Sequence, residues 1–229
     1  MGLGSMVAGA AIDAAAKQAE MKRLLKGRTP EQQKVIKYCF GSGGCFSKGM
    51  SDEEYESMVM AKAKSVDFKQ KALDKIGVDE SQVKEVEPVH FEGYYFSGEN
   101  DKTKTYKIRG KDGIWRTSAY QITWLFFSSS QIYVYQYTFN MDEDGKKEAT
   151  QEYFYKDVTN LSSTSESVED YVPGKKSCTG KVSYTRTTID TNKFMINAMG
   201  EKFSCSMSQN DYTEKVIQGM KAKLREKKG

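Results

Sequence analysis

One histidine, three prolines and two tryptophans stand among 229 residues, and no apolar run approaches the roughly 18 residues that a membrane-spanning helix needs. The lone imidazole, His90, follows Pro88 with no Ser or Cys nucleophile at a recognisable elbow near it, so a triad has no ready base. Only four cysteines occur. Cys39 and Cys45 are separated by five residues, outside the spacing of zinc knuckles, and Cys178 and Cys205 lie in a different part of the chain, so a zinc site is not expected. An export signal is missing too: the stretch Met6 to Ala16 contains Asp13 and has its cations after it, at Lys17, Lys22 and Arg23. Met6 also stands where myristoylation would want Ser or Thr. Without such a signal the thiols are expected in a reducing, cytoplasmic setting.

Charge of one sign is scarce as well. The net charge is +4, and the last nine residues carry a surplus of that size, with Lys221, Lys223, Arg225, Lys227 and Lys228 against Glu226. The remainder is neutral in sum, which argues against a nucleic-acid binder with a concentrated positive face. What the chain does have is 14 Tyr and 11 Phe beside 29% charged residues, too aromatic for disorder and too polar for a membrane-integral protein.

Residues 1–87 read as a helical region. Val7 to Lys26 stops at Gly27 with cations in its last turn, and Thr29-Pro30-Glu31-Gln32 is a cap, a first-position Pro and a capping-box Gln. Ser51 to Glu54 opens a helix whose Tyr55, Val59, Ala63 and Val66 share a face. Asp67 with Gln70 caps another that stops at Gly77, and a last short helix starts at Asp79. From Pro88 the period becomes alternating, and 88–229 reads as a second domain. Strands are expected at 93–97, 104–109, 114–127, 131–140, 149–162, 180–190, 193–199 and 201–207. One amphipathic helix then closes the chain, Asp211 to Lys228, with Val216, Ile217, Met220 and Leu224 as its stripe. The expected class is α+β: an N-terminal helical region and a C-terminal antiparallel β-barrel closed by a helix.

The run Phe194 to Met207, a terminal hairpin, followed by Asn210-Asp211 and the helix Tyr212 to Lys228, carries a resemblance, as does the strand Tyr153 to Leu161. In strand order and terminal helix, residues 88–229 resemble the bacterial members of the pleckstrin-homology (PH-like) superfold. That resemblance implies a barrel plugged by its helix, and protein or peptide binding at least as readily as lipid binding. It implies no catalytic motif.

Asn140 to Gly145 opens like an EF-hand Ca²⁺ loop, but its second half fails, with Lys147 at the eighth place and Gln151 at the twelfth, so a solvated hairpin loop is expected. Gly41 to Gly44 lacks the ending of a phosphate-binding loop and reads as a linker. Lys102, Lys104, Lys107, Arg109 and Lys111 form the candidate anion or lipid-headgroup site, with Lys107, Arg109 and Lys111 on one face by alternation. Basic residues also keep edge strands soluble, and Glu99, Asp101 and Asp112 flank this cluster.

The hairpin Ile122 to Phe139 is apolar on both faces: Ile122, Trp124 and Phe126 oppose Leu125 and Phe127, while Ile132 and Val134 oppose Tyr133, Tyr135, Tyr137 and Phe139. One face fills the barrel. The other, with Tyr133, Tyr135, Tyr137 and Phe139 as the candidate interface, must meet the N-terminal helices, a second subunit or a partner, and the helices are the preferred cover. The expected function is that of a non-enzymatic intracellular binding or scaffold module for a protein or peptide, without cofactor or metal, with homo-oligomers not excluded. A peripheral membrane protein using the strand cluster and the basic helix is the alternative.

Overall fold

The structure, a computed structural model, describes residue 19 and residues 21–40, 49–96, 105–173 and 184–228. Residues 21–25 are helical and Gly27 ends that helix with φ +76°; the part of the expected first helix before residue 19 lies outside the described residues. Among the described residues three helices follow before the strands, each started by the cap legible in the sequence. In α1 (Pro30–Cys39), Thr29 and Gln32 form a reciprocal capping box; in α2 (Asp52–Lys64), Ser51 and Glu54 do the same; in α3 (Phe68–Ile76), the Asp67 carboxylate accepts from Gln70 N–H and Gly77 turns left-handed at φ +80°. The expected short helix is a single 3₁₀ turn, Glu80–Val83.

Among the described residues nine strands follow: β1 (Val86–Tyr94), β2 (Lys107–Arg109), β3 (Trp115–Thr117), β4 (Ala119–Phe127), β5 (Gln131–Asn140), β6 (Lys146–Phe154), β7 (Val158–Pro173), β8 (Tyr184–Ala198) and β9 (Glu201–Ser206). Among the described residues the strand ladders are all antiparallel and fall into three sheets, in the orders β1-β4-β5-β6, β2-β3 and β7-β8-β9, with one isolated parallel bridge from Lys84 to Phe127. The terminal helix α4 (Asp211–Lys228) has the bounds expected of it.

The four-stranded sheet is covered on both faces. Leu125, Phe127, Ile132 and Val134 share one core with Leu161, Phe194, Ile196 and Phe203 of the three-stranded sheet and with Ile217, Met220 and Leu224 of α4. On the opposite face Tyr120, Ile122, Phe126, Tyr135 and Phe139 pack with Val35, Tyr55, Val59, Phe68 and Leu73 of α1–α3. Two-sided burial is what the unalternated hydrophobicity of β4 and β5 demanded.

Among the described residues no closed barrel is formed, which corrects the expected architecture. β6 and β7 are joined by a turn and share no ladder. The edge of β9 meets the four-stranded sheet through side chains instead: Ser206 N–H donates to Gln121 Oε1 (2.7 Å) and Gln136 Nε2 donates to Ser204 O (3.1 Å). Near β1, Ser208 N–H donates to Glu92 O (2.9 Å). Glutamine amides satisfy backbone groups that barrel closure would have paired.

Strand bounds differ in several places, and the expected 104–109 strand begins only at Lys107, with residue 104 outside the described residues. The expected 93–97 strand starts earlier, at Val86, with Pro88 tolerated because β1 is an edge strand that shifts register between Val86 and Val89. The expected 114–127 strand breaks at Ser118, whose N–H and C=O leave the ladder for Tyr106 O (2.8 Å) and Met141 N (2.7 Å). The expected 149–162 strand breaks at a turn in which Asp157 N–H donates to Phe154 O (2.9 Å). The expected 180–190 and 193–199 strands are, from Tyr184 on, one strand, β8, while residues 180–183 lie outside the described residues.

Candidate functional site

The β2–β3 hairpin stands apart from the main sheets, and a buried ionic anchor holds it. Arg116 is only 2% exposed although it lies on a three-residue strand. Its guanidinium donates to both Asp112 oxygens (2.9 and 2.7 Å) and to Glu56 of α2 (3.1 Å). Paired this way, the buried charge is tolerable; unpaired it would not be. Asp112 in turn accepts from Ile114 N–H (3.0 Å), and Arg116 holds its carboxyl down to about 2. A second tie runs through Asp52 at the start of α2, which accepts from Lys111 N–H (2.6 Å) and from the Tyr38 hydroxyl (2.8 Å). Gly110 lies inside this knot, where a Cβ would come within 2.5 Å of Arg116 Nη1 and Asp112 Oδ1. Beside it, buried Tyr55 donates to Thr117 O (2.6 Å) and stacks on Tyr38 at 4.6 Å.

The anchor fixes the outer face of the hairpin as one wall of a cleft of about 400 Å³. Arg109, Ile114 and Trp115 line that wall, Tyr94 and Phe96 lie at the end of β1, and Asp190 and Lys193 of β8 line the opposite side. The floor is closed by strand proximity: a Cβ on Gly93 would sit 3.3 Å from the Met207 backbone. On the β8 side the polar groups are held across the ladder, with Ser167 donating to Asp190 (2.6 Å), Ser165 to Asn192 (2.7 Å) and Lys193 to Glu166 (2.9 Å). Arg109 differs. Its Nε donates to Gly113 O (3.1 Å), and among the described residues it has no carboxylate partner. The cleft thus offers an open guanidinium beside indole, phenyl and isoleucyl surface, a combination that suits a carboxylate next to an apolar side chain.

Of the expected basic cluster, Lys102 and Lys104 lie outside the described residues. Lys107 and Arg109 share β2, but the strand ends there. Lys111 is in the following turn, tied by its N–H to Asp52, so the alternation does not extend to it. Tyr133, Tyr135, Tyr137 and Phe139 all face α1–α3. Tyr135 is fully buried with its hydroxyl on Glu148 (2.7 Å), Phe139 is buried with Lys62 Nζ 5.2 Å from its ring, and half-buried Tyr137 meets Phe68 at 5.0 Å and Lys71 Nζ at 4.3 Å.

The loop after Asn140 is a clasp. Arg28 donates to Glu143 (3.0 Å), Gln32 to Asp144 (2.7 Å) and Lys62 to Asn140 O (2.8 Å), which ties β5–β6 to the helices. Asp142 is buried beneath it, and burial pushes its carboxyl above the usual range. Among the described residues no three His, Cys, Asp or Glu side chains are grouped to hold a metal ion. His90 stacks on Trp124 at 5.0 Å. Cys39 and Cys205 are buried free thiols raised by burial; Cys45 and Cys178 lie outside the described residues.

The residues that sequence reasoning passed over are Arg116, Trp115 and Lys193. Arg116 pairs with Glu56, 60 positions away, so no local pattern marks it. Compared with known protein families, curated proteins and solved structures, the chain matches none.

Proposed function

We propose that the chain is a non-catalytic binding module that takes a short extended segment of a protein or peptide partner into the cleft between the β2–β3 hairpin and β8. The observation that carries this is Arg109, an exposed guanidinium without a carboxylate partner among the described residues, set beside Trp115 and Phe96 on a hairpin anchored by Arg116. Preorganisation of that wall limits the entropy lost on binding. Seven strands in two antiparallel sheets, followed by one helix, keep the chain order of the PH-like resemblance without its barrel closure, and the protein or peptide binding that the resemblance implies points the same way. A carboxylate on the ligand would meet Arg109, and its apolar neighbour would lie on Trp115 and Ile114.

The test is a titration of the full chain with arrayed short peptides that place Asp or Glu beside Leu or Phe, followed by calorimetry on the best binder. Arg109→Glu is expected to abolish binding, and Trp115→Ala to weaken it by roughly tenfold or more, as loss of an aromatic anchor does. Equal binding by Arg109→Glu and the parent chain, or no peptide that binds, would overturn the assignment.

A further inference from the structure

The end of the molecule away from the cleft gathers the other termini of the strands with the C-terminal turn of α4. Two of its side chains are unusual for a water-facing surface. Met199, on the tight β8–β9 turn closed by Gly200 at φ +80°, is 76% exposed, and Phe154, at the end of β6, is 49% exposed. They belong to one patch: Met199 N–H donates to Asp157 O (3.1 Å), and Asp157 N–H donates to Phe154 O (2.9 Å). Lys156 Nζ lies 5.7 Å from the Phe154 ring, and Lys227 of α4 lies 5.9 Å from the ring of the adjoining Tyr155.

Around these tips the charge is mixed, with cations in slight excess. Glu85 holds Lys223 and Lys227, each at 2.9 Å, and Glu226 shares Lys223. Among the described residues this leaves Lys84, Lys156, Lys202, Arg225 and Lys228 exposed and without ion-pair partners, against exposed Glu87, Glu152 and Glu201 and half-buried Asp157. From the joining of two protruding apolar tips to unmatched cations we infer that this end docks on an anionic bilayer surface, with Met199 and Phe154 entering the interface and the cations meeting the headgroups. Both apolar groups stand on turn tips, so a protein partner would have to supply a cavity for each, whereas a bilayer interface yields to any such shape. Lysine and arginine stems suit the same boundary, apolar below and charged above. The inference is independent of the cleft.

Flotation of the full chain with phosphatidylserine-containing vesicles tests it, with pure phosphatidylcholine vesicles alongside. Binding is expected on the anionic vesicles only, and it should be lost when salt is raised several-fold above about 0.1 M. Met199→Asp combined with Phe154→Ser should weaken it by roughly tenfold, as should Arg225→Glu combined with Lys228→Glu, both on exposed sites where folding is verified by circular dichroism. Arg109→Glu should float like the parent chain. The inference is overturned by failure of the parent chain to float, by equal flotation on neutral vesicles, by variants that float unchanged, or by loss of flotation in Arg109→Glu. Capture by polyglutamate in place of vesicles would equally overturn it, in favour of an acidic protein.

Discussion

Arg116 and Asp112 concentrate at residue scale what the hairpin needs. The Asp112 carboxyl titrates at about 2 in the folded chain against an ordinary 3.8, because Arg116 donates to it, so folding favours its ionised form. Its contribution is therefore complete above the ordinary value and is lost as pH falls from about 4 towards about 2. Asp142 acts with opposite sign: burial raises its carboxyl, so its cost is present above the raised value and is relieved on acidification. Asp112→Asn should lower stability at neutral pH by about 1 kcal/mol, because solvent screens a carboxylate that is more than a third exposed, and the gap from the parent chain should close as pH falls through that window, in a difference measurement that cancels Asp142. Denaturant unfolding of both proteins across a pH series checks it; a pH-independent gap would place the Arg116 pair elsewhere in the energetics. Neither role is legible in the sequence, since Trp115-Arg116-Thr117 reads as an ordinary strand until α2 brings Glu56 to it.

Elements whose signals are local were legible, and those that depend on distant partners were not. Caps at Thr29, Ser51 and Asp67 and the stripe of α4 are written within a turn or two of sequence. The turn at Tyr155 to Asp157 carries neither Gly nor Pro, so β6 and β7 read as one strand. Asp190-Thr191-Asn192 has turn composition, yet Ser165 and Ser167 of β7 take up Asn192 and Asp190, so β8 runs through it. At this scale α4 is the decisive piece, because Ile217, Met220 and Leu224 fill the core between the two large sheets. Leu224→Asp would bury a charge there and should cost about 3 kcal/mol or more. A melting temperature unchanged in that variant would show that α4 is not part of the core.

For the whole molecule, the four-stranded sheet is the middle layer, and neither of its faces is suited to water. The absence of alternation in β4 and β5 made both buried faces legible, though not the failure of the barrel to close, where Gln121 and Gln136 reach β9 instead. A fragment of residues 84–229 keeps β1 whole and should bare Tyr120, Ile122, Phe126, Tyr135 and Phe139. Burial of such side chains is worth several kcal/mol, at roughly 25 cal/mol per Å² and about 150 Å² or more per ring. The fragment should therefore bind a hydrophobic dye or aggregate where the full chain does neither. A monomeric fragment as heat-stable as the full chain would show that the helices contribute little. Helix α4 also sets a length. Its first residue, Asp211, follows the cleft-lining Ser208 by three positions, and its last turn reaches Tyr155 at the other end. Its 18 residues rise about 27 Å, more than three times the screening length of about 8 Å at physiological salt. The two ends are thus electrostatically deaf to each other: the field of a charged surface met at one end has decayed before it reaches Arg109 at the other.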